Sequence, residues 1–462
     1  MTNTNWQGKN VLILGAARQG QALARFLSSR KANVILNDRR SAAQLGTAVE
    51  SLTSIGVEWV LDTHPLSLLD RVDLVCLSGG IPLSLPIVQA AAERGLPLTN
   101  DSQVFMEEVK APVIGITGSA GKTTTTTLVG RMAQKAVKAP RKAWVGGNIG
   151  LPLVEYLDQI MPDDIVILEL SSFQLEQMTI SPHIAAVLNI TPNHLDRHGT
   201  MEAYTAAKSR ILNFQTPADY SILNREDSGS WDLASISPGT LFSFGFSSSA
   251  SLENGSFIEN RKIFFRSSGK DLAICDAADV ELRGQHNLQL VLAAVAICGV
   301  AGISAEAMQA GIRGFTGVEH RMEPVRTWHG ILFVNDSIAT APERTMAAIE
   351  SYSEPIILLL GGRDKDLPWD VLAEKIHKRV SRVILFGEAA EKIYSAIGNP
   401  IVGDVLESVH SVGTFTSALE KAVEIACSGD VVLLSPGCTS YDAFRDFEER
   451  GNFFKKWVNE LE

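Results

Sequence analysis

Short apolar runs alternate with amphipathic segments along the first part of the chain. Asn10 to Leu14, Val34 to Leu36 and Val72 to Leu77 have the continuous apolar pattern of buried strands, whereas Gln21 to Ser28 has helical spacing. Strands that are buried on both faces and alternate with helices are typical of a parallel sheet. The pattern therefore predicts a Rossmann-like first domain, although Ala17 takes the place of the middle glycine in its glycine-rich turn.

The strand pattern restarts near residue 111 and again near residue 317. We predict an α/β protein with three domains: an N-terminal Rossmann-like domain (1–110), a central P-loop-type ATPase α/β domain (111–316) and a C-terminal Rossmann-like domain (317–462). The polar stretch from Asp227 to Gly269 predicts a β excursion within the central domain, which a helix from His286 to Gly299 closes. The predicted strands of these two regions are Thr240 to Phe246, Phe257 to Phe265, Ile331 to Val334, Ile356 to Leu360, Arg382 to Phe386 and Asp430 to Leu434.

A glycine-rich segment between a strand and a helix is the most informative local motif. The apolar strand Pro112 to Ile116 leads into Gly118, Ser119, Ala120, Gly121, Lys122, Thr123 and Thr124. Glycines let backbone N–H groups turn toward an anion, the helix start and the lysine add positive charge, and a threonine hydroxyl suits Mg²⁺. A chance glycine-rich turn is the alternative, because Ile116 stands where the complete motif has glycine. We expect the segment to bind a nucleoside triphosphate.

Bulk properties narrow the classes of function. The 462 residues carry a formal net charge of -11, which argues against a general nucleic-acid or anionic-membrane surface. The five cysteines are scattered and form no Cys-x-x-Cys pair, so neither a disulfide framework nor structural zinc is expected. The N-terminus has no apolar signal segment, and the longest apolar stretch, Leu290 to Ile303, is too short to span a bilayer. We expect a cytoplasmic protein without membrane insertion and without a nucleic-acid partner.

Acidic and histidine side chains follow two predicted strands of the central domain. Glu169 ends the strand Ile165 to Leu168, and His194 lies in a polar run after the strand Ala185 to Leu188. Side chains at the carboxyl ends of parallel strands face the crevice in which ligands bind, and both residue types suit Mg²⁺ held between protein and phosphates. A solvated carboxylate and a structural histidine are the alternatives.

Further motifs extend through all three predicted domains. They lie at 146–150 (Gly-Gly-Asn-Ile-Gly), 169–176 (Glu-Leu-Ser-Ser-Phe-Gln-Leu-Glu), 189–198 (Asn-Ile-Thr-Pro-Asn-His-Leu-Asp-Arg-His), 204–208, 284–287, 319–323, 335–337, 361–365 and 435–442. With the phosphate loop, they resemble the Mur ligase family over nearly the whole chain and in the expected order. The segment 171–176 points to a member that adds glutamate.

The resemblance implies an ATP-dependent ligase that adds D-glutamate to UDP-N-acetylmuramoyl-L-alanine in peptidoglycan precursor synthesis. ATP would phosphorylate the carboxylate of the UDP-linked substrate, and the amine of glutamate would displace phosphate to form an amide. Lys122 would hold the β- and γ-phosphates, Thr123 and Glu169 one Mg²⁺ ion, and His194 and Lys208 a second. The family further implies carbamylation of Lys208, for which a plain surface lysine is the alternative. We expect a monomer.

The resemblance also assigns residues to the three substrates. For ATP it implies the phosphate loop together with Asn287, Arg321 and Asp336. For glutamate it implies Thr340, Lys365, Ser440 and Phe447. The UDP-substrate would be bound by Arg18, Gln19, Asp38, Arg39, Arg40, Ser78 and Gly80, with Asn148, Ser171 and Gln174 lining the path to its muramoyl-alanine end. Without the resemblance, Arg39 and Arg40 would be read as an ordinary solvated turn.

Three positions depart from the family pattern. Ala120 stands where the family usually has a polar residue, Leu290 where it often has asparagine, and Ile338 where it usually has lysine. The change at Ile338 leaves L-glutamate open as the amino acid. A folate polyglutamate synthase shares the ATP half of the chemistry, but the first domain argues against it.

Two functional hypotheses from other classes of protein remain open. An NAD-dependent oxidoreductase would explain the first domain but would leave Lys122, Glu169 and His194 without a role. A nucleotide-binding sensor module would bind ATP without forming an amide.

Overall fold

The computed structural model describes residues 5–247, 253–282 and 284–462, except for the side chains of Thr47 and Asp196. The chain divides into two compact units, Met1–Phe315 and Thr316–Glu462. Among the described residues, the first unit holds two sheets and the second unit one, which confirms the predicted α/β fold with three domains. The domain boundaries at 110/111 and 316/317 stay predictions.

The first sheet is parallel, with the strand order β3-β2-β1-β4-β5 in the described residues. A Cβ at Gly20 would lie 1.9 Å from the carbonyl oxygen of Gly15, so glycine allows the following helix to pack directly on the turn after β1. The strands are β1 (Asn10–Leu14), β2 (Asn33–Asn37), β3 (Glu58–Val60), β4 (Leu74–Leu77) and β5 (Leu98–Asn100). The helices are α1 (Arg18–Ser29), α2 (Ala42–Leu45), α3 (Thr47–Leu52), α4 (Pro86–Glu93) and α5 (Asp101–Glu108).

The second sheet has the order β14-β13-β12-β11-β10-β9-β6-β8-β7 within the described part of the chain. The strands β12, β11, β10, β9, β6, β8 and β7, in this spatial order, pair parallel with their neighbours. The pairs β12–β13 and β13–β14 are antiparallel. The strands are β6 (Val113–Thr117), β7 (Ala143–Gly147), β8 (Ile165–Glu169), β9 (Ile184–Val187), β10 (Tyr220–Asn224), β11 (Thr240–Phe244), β12 (Gly255–Glu259), β13 (Lys262–Ser267) and β14 (Lys270–Asp276). The helices are α6 (Lys122–Ala136), α7 (Ser172–Leu175), α8 (Leu195–His198), α9 (Met201–Asn213), α10 (Ser228–Trp231), α11 (Gln285–Val300) and α12 (Ala305–Ile312).

The second unit contains a sheet with the order β15-β16-β20-β17-β18-β19, in which only the β15–β16 pair of the described strands is antiparallel. Apolar clusters cover both faces of this sheet, as expected for strands with continuous apolar runs. The strands are β15 (Glu323–Trp328), β16 (Ile331–Asn335), β17 (Ile356–Gly361), β18 (Arg382–Phe386), β19 (Ser408–Ser411) and β20 (Val431–Gly437). The helices are α13 (Pro342–Glu350), α14 (Asp370–Arg379), α15 (Ala390–Ile397), α16 (Phe415–Ile425) and α17 (Phe447–Asn459).

One predicted strand needs correction. The segment Phe257 to Phe265 is not a single strand, because Asn260 (φ 49°) and Arg261 (φ 62°) reverse the chain between the antiparallel strands β12 and β13. Residues 248–252 of the predicted β excursion lie outside the described residues. Among the helices that are described, none is long and apolar enough to cross a membrane.

Candidate active site

The phosphate loop connects β6 to α6. β6 is buried along its whole length, and Thr117 at its end donates from Oγ1 to the carbonyl of Leu170 at 2.8 Å. Gly121 has φ 80° and precedes α6, and a Cβ there would lie 2.4 Å from Cδ2 of Leu290. The backbone conformation therefore favours glycine, and the side chain of Leu290 would have to shift to admit a Cβ. The departure at Leu290 places an apolar side chain against the loop.

Lys122 begins α6, and its side chain turns back over the loop. Nζ donates to the carbonyl of Gly118 at 2.8 Å and to that of Ser119 at 3.2 Å. A lysine at the first position of a helix lies at the positive end of the helix dipole, which is unfavourable without an anion nearby. The loop thus gathers a full positive charge and the first-turn N–H groups at one point, as phosphate binding requires.

Side chains from outside the loop hold its backbone in place. Asn189, just after β9, accepts from the backbone N of Ala120 at 2.8 Å and donates to its carbonyl at 3.1 Å. The Oγ of Ser119 donates to the carbonyl of Thr191 at 2.9 Å and lies 3.0 Å from the hydroxyl of Tyr204. Sequence reasoning quoted Asn189, Thr191 and Tyr204 within motifs but gave them no role. The polar run directly after a strand was the available signal.

Glu169 is buried at the end of β8, between two other predicted site residues. Thr123 donates from Oγ1 to Glu169 Oε2 at 2.8 Å, and Asn148 donates from Nδ2 to Oε1 at 2.9 Å. A carboxylate and a hydroxyl beside the phosphate loop are hard oxygen donors, so this pair fits Mg²⁺ shared with phosphate oxygens. No cluster of three or more His, Cys, Asp or Glu side chains in the described ranges could hold a metal alone. An ion here depends on the hydroxyl and on substrate oxygens.

Lys208 lies on α9 beneath the phosphate loop and is only 1 % exposed. Its Nζ donates to the carbonyl of Gly118 at 2.9 Å and to Oγ1 of Thr117 at 3.3 Å. Burial lowers the pKa of Lys208 well below its usual value, and the charge of Lys122 lowers it further against the opposing effect of Glu169. The alternative of a plain surface lysine is therefore wrong. Burial favours the neutral amine.

His194 precedes α8 with a left-handed backbone, φ 53°. Its ring centroid lies 5.1 Å from that of Phe173. The same Phe173 ring carries the guanidinium of Arg197 at 3.8 Å and stacks on His198 at 5.3 Å. The Nδ1 atom of His198 in turn lies 3.0 Å from the carboxylate of Glu176, which fixes the orientation of this ring. The imidazole of His194 is thus positioned by an aromatic cluster next to the segment that begins at Glu169.

Several residues predicted for the UDP-substrate gather where the strands of the first sheet end. Asp38, directly after β2, accepts from the backbone N of Ala16 at 2.8 Å and pairs with Arg40 at 2.7 Å. Burial alone would raise the pKa of Asp38, but these hydrogen bonds hold it below its usual value. Gln19 reaches from α1 to the carbonyl of Gly147 at 3.4 Å. The other predicted residues are the exposed Arg18, Arg39 and Gly80 and the buried Ser78.

Ser171 and Gln174 form a capping box around α7, with Ser171 Oγ accepting from the backbone N of Gln174. The Gln174 amide is buried, accepts from the backbone N of Ser171 at 3.0 Å and donates to Ser102 Oγ at 2.8 Å. The hydrogen bond from Gln174 to Ser102 therefore joins α7 to α5, a helix next to the first sheet. The predicted contact of Ser171 and Gln174 with substrate stays a prediction.

The residues predicted for adenine and ribose contacts lie at element ends in both units. Asn287 is half-buried in the first turn of α11, and Arg321 is exposed shortly before β15. Asp336, after β16, is buried and accepts from Oγ of Ser435 at 2.8 Å and from the backbone N of Met322 at 3.2 Å. Burial raises the pKa of Asp336 to about 7 against the lowering effect of these hydrogen bonds.

The residues predicted for glutamate follow three neighbouring strands of the second unit. Lys365, after β17, donates from Nζ to Oγ1 of Thr340, after β16, at 3.1 Å. Ser440, after β20, is buried. Phe447 begins α17 and accepts from the hydroxyl of Ser337 through its carbonyl at 2.8 Å. Their approach at one edge of the sheet follows from the strand order.

Sequence reasoning missed Arg450, which is fully buried in α17. Its guanidinium donates to Ser337 Oγ at 2.9 Å, to the Ser337 carbonyl at 2.9 Å and to the Cys438 carbonyl at 3.2 Å. Burial lowers the pKa of Arg450 to about 10. It joins the ends of β16 and β20, which carry the predicted site residues. Nothing in the local pattern distinguishes it from an exposed helical arginine.

Comparison with protein families matches all three regions of the chain. Residues 9–100 match the Mur ligase MurD-like N-terminal domain, residues 116–298 the Mur ligase middle domain and residues 320–438 the Mur ligase glutamate ligase domain. A curated protein of Symbiobacterium thermophilum, named UDP-N-acetylmuramoylalanine--D-glutamate ligase, is 40% identical over 449 residues, covering 97% of both chains. A protein of Bacillus cytotoxicus with the same name is 38% identical over 462 residues, covering 100% of this chain and 99% of its own.

Solved structures show the same fold at low sequence identity. UDP-N-acetylmuramate-alanine ligase MurC of Thermotoga maritima aligns with a TM-score of 0.56 and 17% identity, covering 98% of this chain and 99% of that one. MurF of Acinetobacter baumannii aligns with a TM-score of 0.56 and 16% identity, covering 97% and 93%.

Proposed function

Because this chain belongs to the Mur ligase family, we propose that it joins D-glutamate to UDP-N-acetylmuramoyl-L-alanine and converts ATP to ADP and phosphate. The observation that carries the proposal is the match, over 97% of the chain, to a relative named as a D-glutamate ligase. The reaction would serve peptidoglycan precursor synthesis. The phosphate loop with its lysine and buried carboxylate supports the ATP-dependent half.

The residues of the first unit can perform the phosphoryl transfer. Lys122 Nζ donates to the carbonyl of Gly118 at 2.8 Å. When ATP binds, the ammonium group would exchange this contact for the β- and γ-phosphates and neutralise their charge. Asn189 and Ser119 keep the loop backbone in the shape that presents its N–H groups. The terminal phosphoryl group passes to the carboxylate of the UDP-linked substrate, giving an acyl phosphate and ADP. The deprotonated amine of glutamate then attacks the acyl carbon, and phosphate leaves.

The donor set around the loop favours bound Mg²⁺. Thr123 and Glu169 would hold one ion, and His194 with a modified Lys208 would serve a second. When bound, the ions would neutralise the negative charges of the ATP phosphates and of the substrate carboxylate, which otherwise repel each other.

Carbamylation of Lys208 follows the same logic. A neutral amine adds to CO₂ to give a carbamate and releases one proton, and the burial of Lys208 favours the neutral amine. The modification converts a group that repels metal into an oxygen ligand. Incorporation of ¹³CO₂, read by ¹³C NMR in the wild type and in Lys208→Ala, tests it. A carbamate signal that persists in the variant would contradict the assignment.

The substrates would be divided among the three sheets. The strand ends near Asp38 would bind the UDP portion, and those near Thr340 and Lys365 would bind glutamate. We propose a cytoplasmic location, since the substrates are soluble nucleotides and an amino acid, and we propose a monomer.

The decisive experiment measures ADP release by the purified chain with Mg²⁺-ATP and UDP-N-acetylmuramoyl-L-alanine. D-glutamate, L-glutamate and no amino acid are compared, and the product is identified by mass spectrometry. Turnover with D-glutamate alone is expected. Preference for L-glutamate would overturn the stereochemical part, and no turnover with either would overturn the proposed reaction.

A matched pair of variants in α6 tests the role of the loop lysine. Lys122→Met should abolish ADP release, because it removes the charge at the phosphate site. Lys135→Met removes an exposed lysine from the last turn of the same helix and should leave turnover unchanged. Equal activity in the two variants would contradict the phosphate role of Lys122.

A further inference from the structure

Two exposed cations of the second unit lie against the same short turn. Arg344, in the first turn of α13, points Nη1 at the carbonyl of Ile338 across 3.4 Å. Lys365 donates to the hydroxyl of Thr340 at 3.1 Å, and the backbone N of Thr340 donates to the Ile338 carbonyl at 2.9 Å. Both cations therefore contact the same three-residue turn, 338–340.

Two other cations of this region, Arg363 and Lys392, are ion-paired. Arg363 pairs with Glu388 at 2.9 Å, and Lys392 pairs with Asp364 and Asp366. In the described part of the chain, Arg344 and Lys365 form no ion pair with a carboxylate. Two like charges held close together repel each other, and an anion between them would relieve the repulsion.

The charges around Lys365 act on its pKa in both directions. Burial lowers the pKa of Lys365, the charge of Arg344 lowers it further, and Cys438 and Glu343 oppose this lowering. Arg344 also lies at the N-terminal end of its helix, where a cation is disfavoured by the helix dipole. The net effect on Lys365 still disfavours its charged form, so a bound anion would stabilise the two cations.

The position of the pair in the fold suits a ligand. The turn 338–340 follows β16 and the segment with Lys365 follows β17, and both strands flank β20 in the sheet. The carboxyl edge of a parallel sheet is where such domains bind ligands.

We infer that Arg344, together with Lys365, holds one carboxylate of the incoming glutamate, and that it supplies the positive charge that Ile338 lacks. This inference rests on the proposed function. It makes Arg344 a specificity-determining residue that the sequence motifs do not include. A guanidinium suits the role because it carries a permanent positive charge and donates charge-assisted hydrogen bonds to a carboxylate.

The test compares the KM values for D-glutamate, ATP and UDP-N-acetylmuramoyl-L-alanine in the wild type, Arg344→Met, Arg344→Lys and Ile338→Lys/Arg344→Met. Arg344→Met should raise the KM for D-glutamate at least about 10-fold, since a charge-assisted hydrogen bond is lost, and should leave the other two KM values within about 2-fold. Arg344→Lys should retain most of the affinity, and the double variant should regain it by returning a cation beside the same turn. Lys378→Met, which removes an exposed cation from α14, should behave as the wild type.

Failure of the inference and failure of the proposed function give different results. A wild-type protein without turnover of D-glutamate would remove the basis of both. An active wild type whose KM for D-glutamate is unchanged by Arg344→Met would overturn the inference alone. Equal losses in Arg344→Met and Arg344→Lys would also overturn it, because the charge would then not matter.

Discussion

The hydrogen bonds between Asn189 and Ala120 give the sharpest prediction for the phosphate loop. Asn189→Ala removes one acceptor for the backbone N of Ala120 and one donor to its carbonyl, at 2.8 Å and 3.1 Å. Position 120 carries alanine, so its side chain cannot replace the lost contacts. The loop should therefore leave its anion-binding shape for part of the time.

The magnitude follows from these two bonds. A neutral hydrogen bond contributes about 0.5–1.5 kcal/mol, which gives about 1–3 kcal/mol for the pair. Ala120 is exposed, so water replaces both partners and the lower part of this range, about 1–2 kcal/mol, applies. If that energy is lost from the binding-competent loop, the affinity for ATP should fall about 5- to 30-fold.

Calorimetric titration with a non-hydrolysable ATP analogue, together with the KM for ATP, measures the effect. Asn213→Ala removes an exposed asparagine at the end of α9 and should leave both quantities unchanged. An ATP affinity of Asn189→Ala within about 2-fold of the wild type would refute the reasoning, because the loop shape would then not depend on this side chain.

Three further predictions concern other groups. Lys208→Ala should abolish amide formation, and added acetate should partly restore it by supplying the missing carboxylate oxygens, as measured by product formation. Arg450→Met should lower the free energy of unfolding by about 2–6 kcal/mol in denaturant titrations, because the carbonyls of Ser337 and Cys438 lose a buried donor at about 1–3 kcal/mol each. Asp336 has a pKa raised to about 7, so its contribution to stability is complete below about pH 4 and is lost as the pH rises through 7; Asp336→Asn should flatten that slope.

Each of these predictions has a result that would contradict it. Full activity of Lys208→Ala without acetate would end its role as a metal ligand. Arg450→Met should cost far more than Glu388→Gln, which breaks only an exposed ion pair worth at most about 1 kcal/mol, and similar losses would show that the buried donor is dispensable. An unchanged pH slope in Asp336→Asn would assign the titration to another group.

Local patterns were sufficient for the elements and for the phosphate loop. Strand β6, the loop and α6 occupy consecutive residues, so apolar run, glycines and lysine predict them together. The β12–β13 turn was missed because Asn260 and Arg261 adopt positive φ without a glycine, although the polar stretch Glu259 to Lys262 was the available signal. The roles assigned to individual site residues came from the resemblance to a family and stay predictions.

By itself, the sequence determined the order of strands and helices, the phosphate-binding segment and the family to which the chain belongs, since these depend on neighbouring residues and on recurring motifs. Tertiary structure alone decided what surrounds each side chain. Asn189 meets Ala120 across 69 positions of sequence, and Lys208 meets Gly118 across 90. The pairing of Arg344 and Lys365 against one turn likewise depends on the neighbouring strands β16, β20 and β17. Burial, hydrogen bonding and charge repulsion arise only when the packing of strands and helices brings distant residues together, so no local pattern could reveal them.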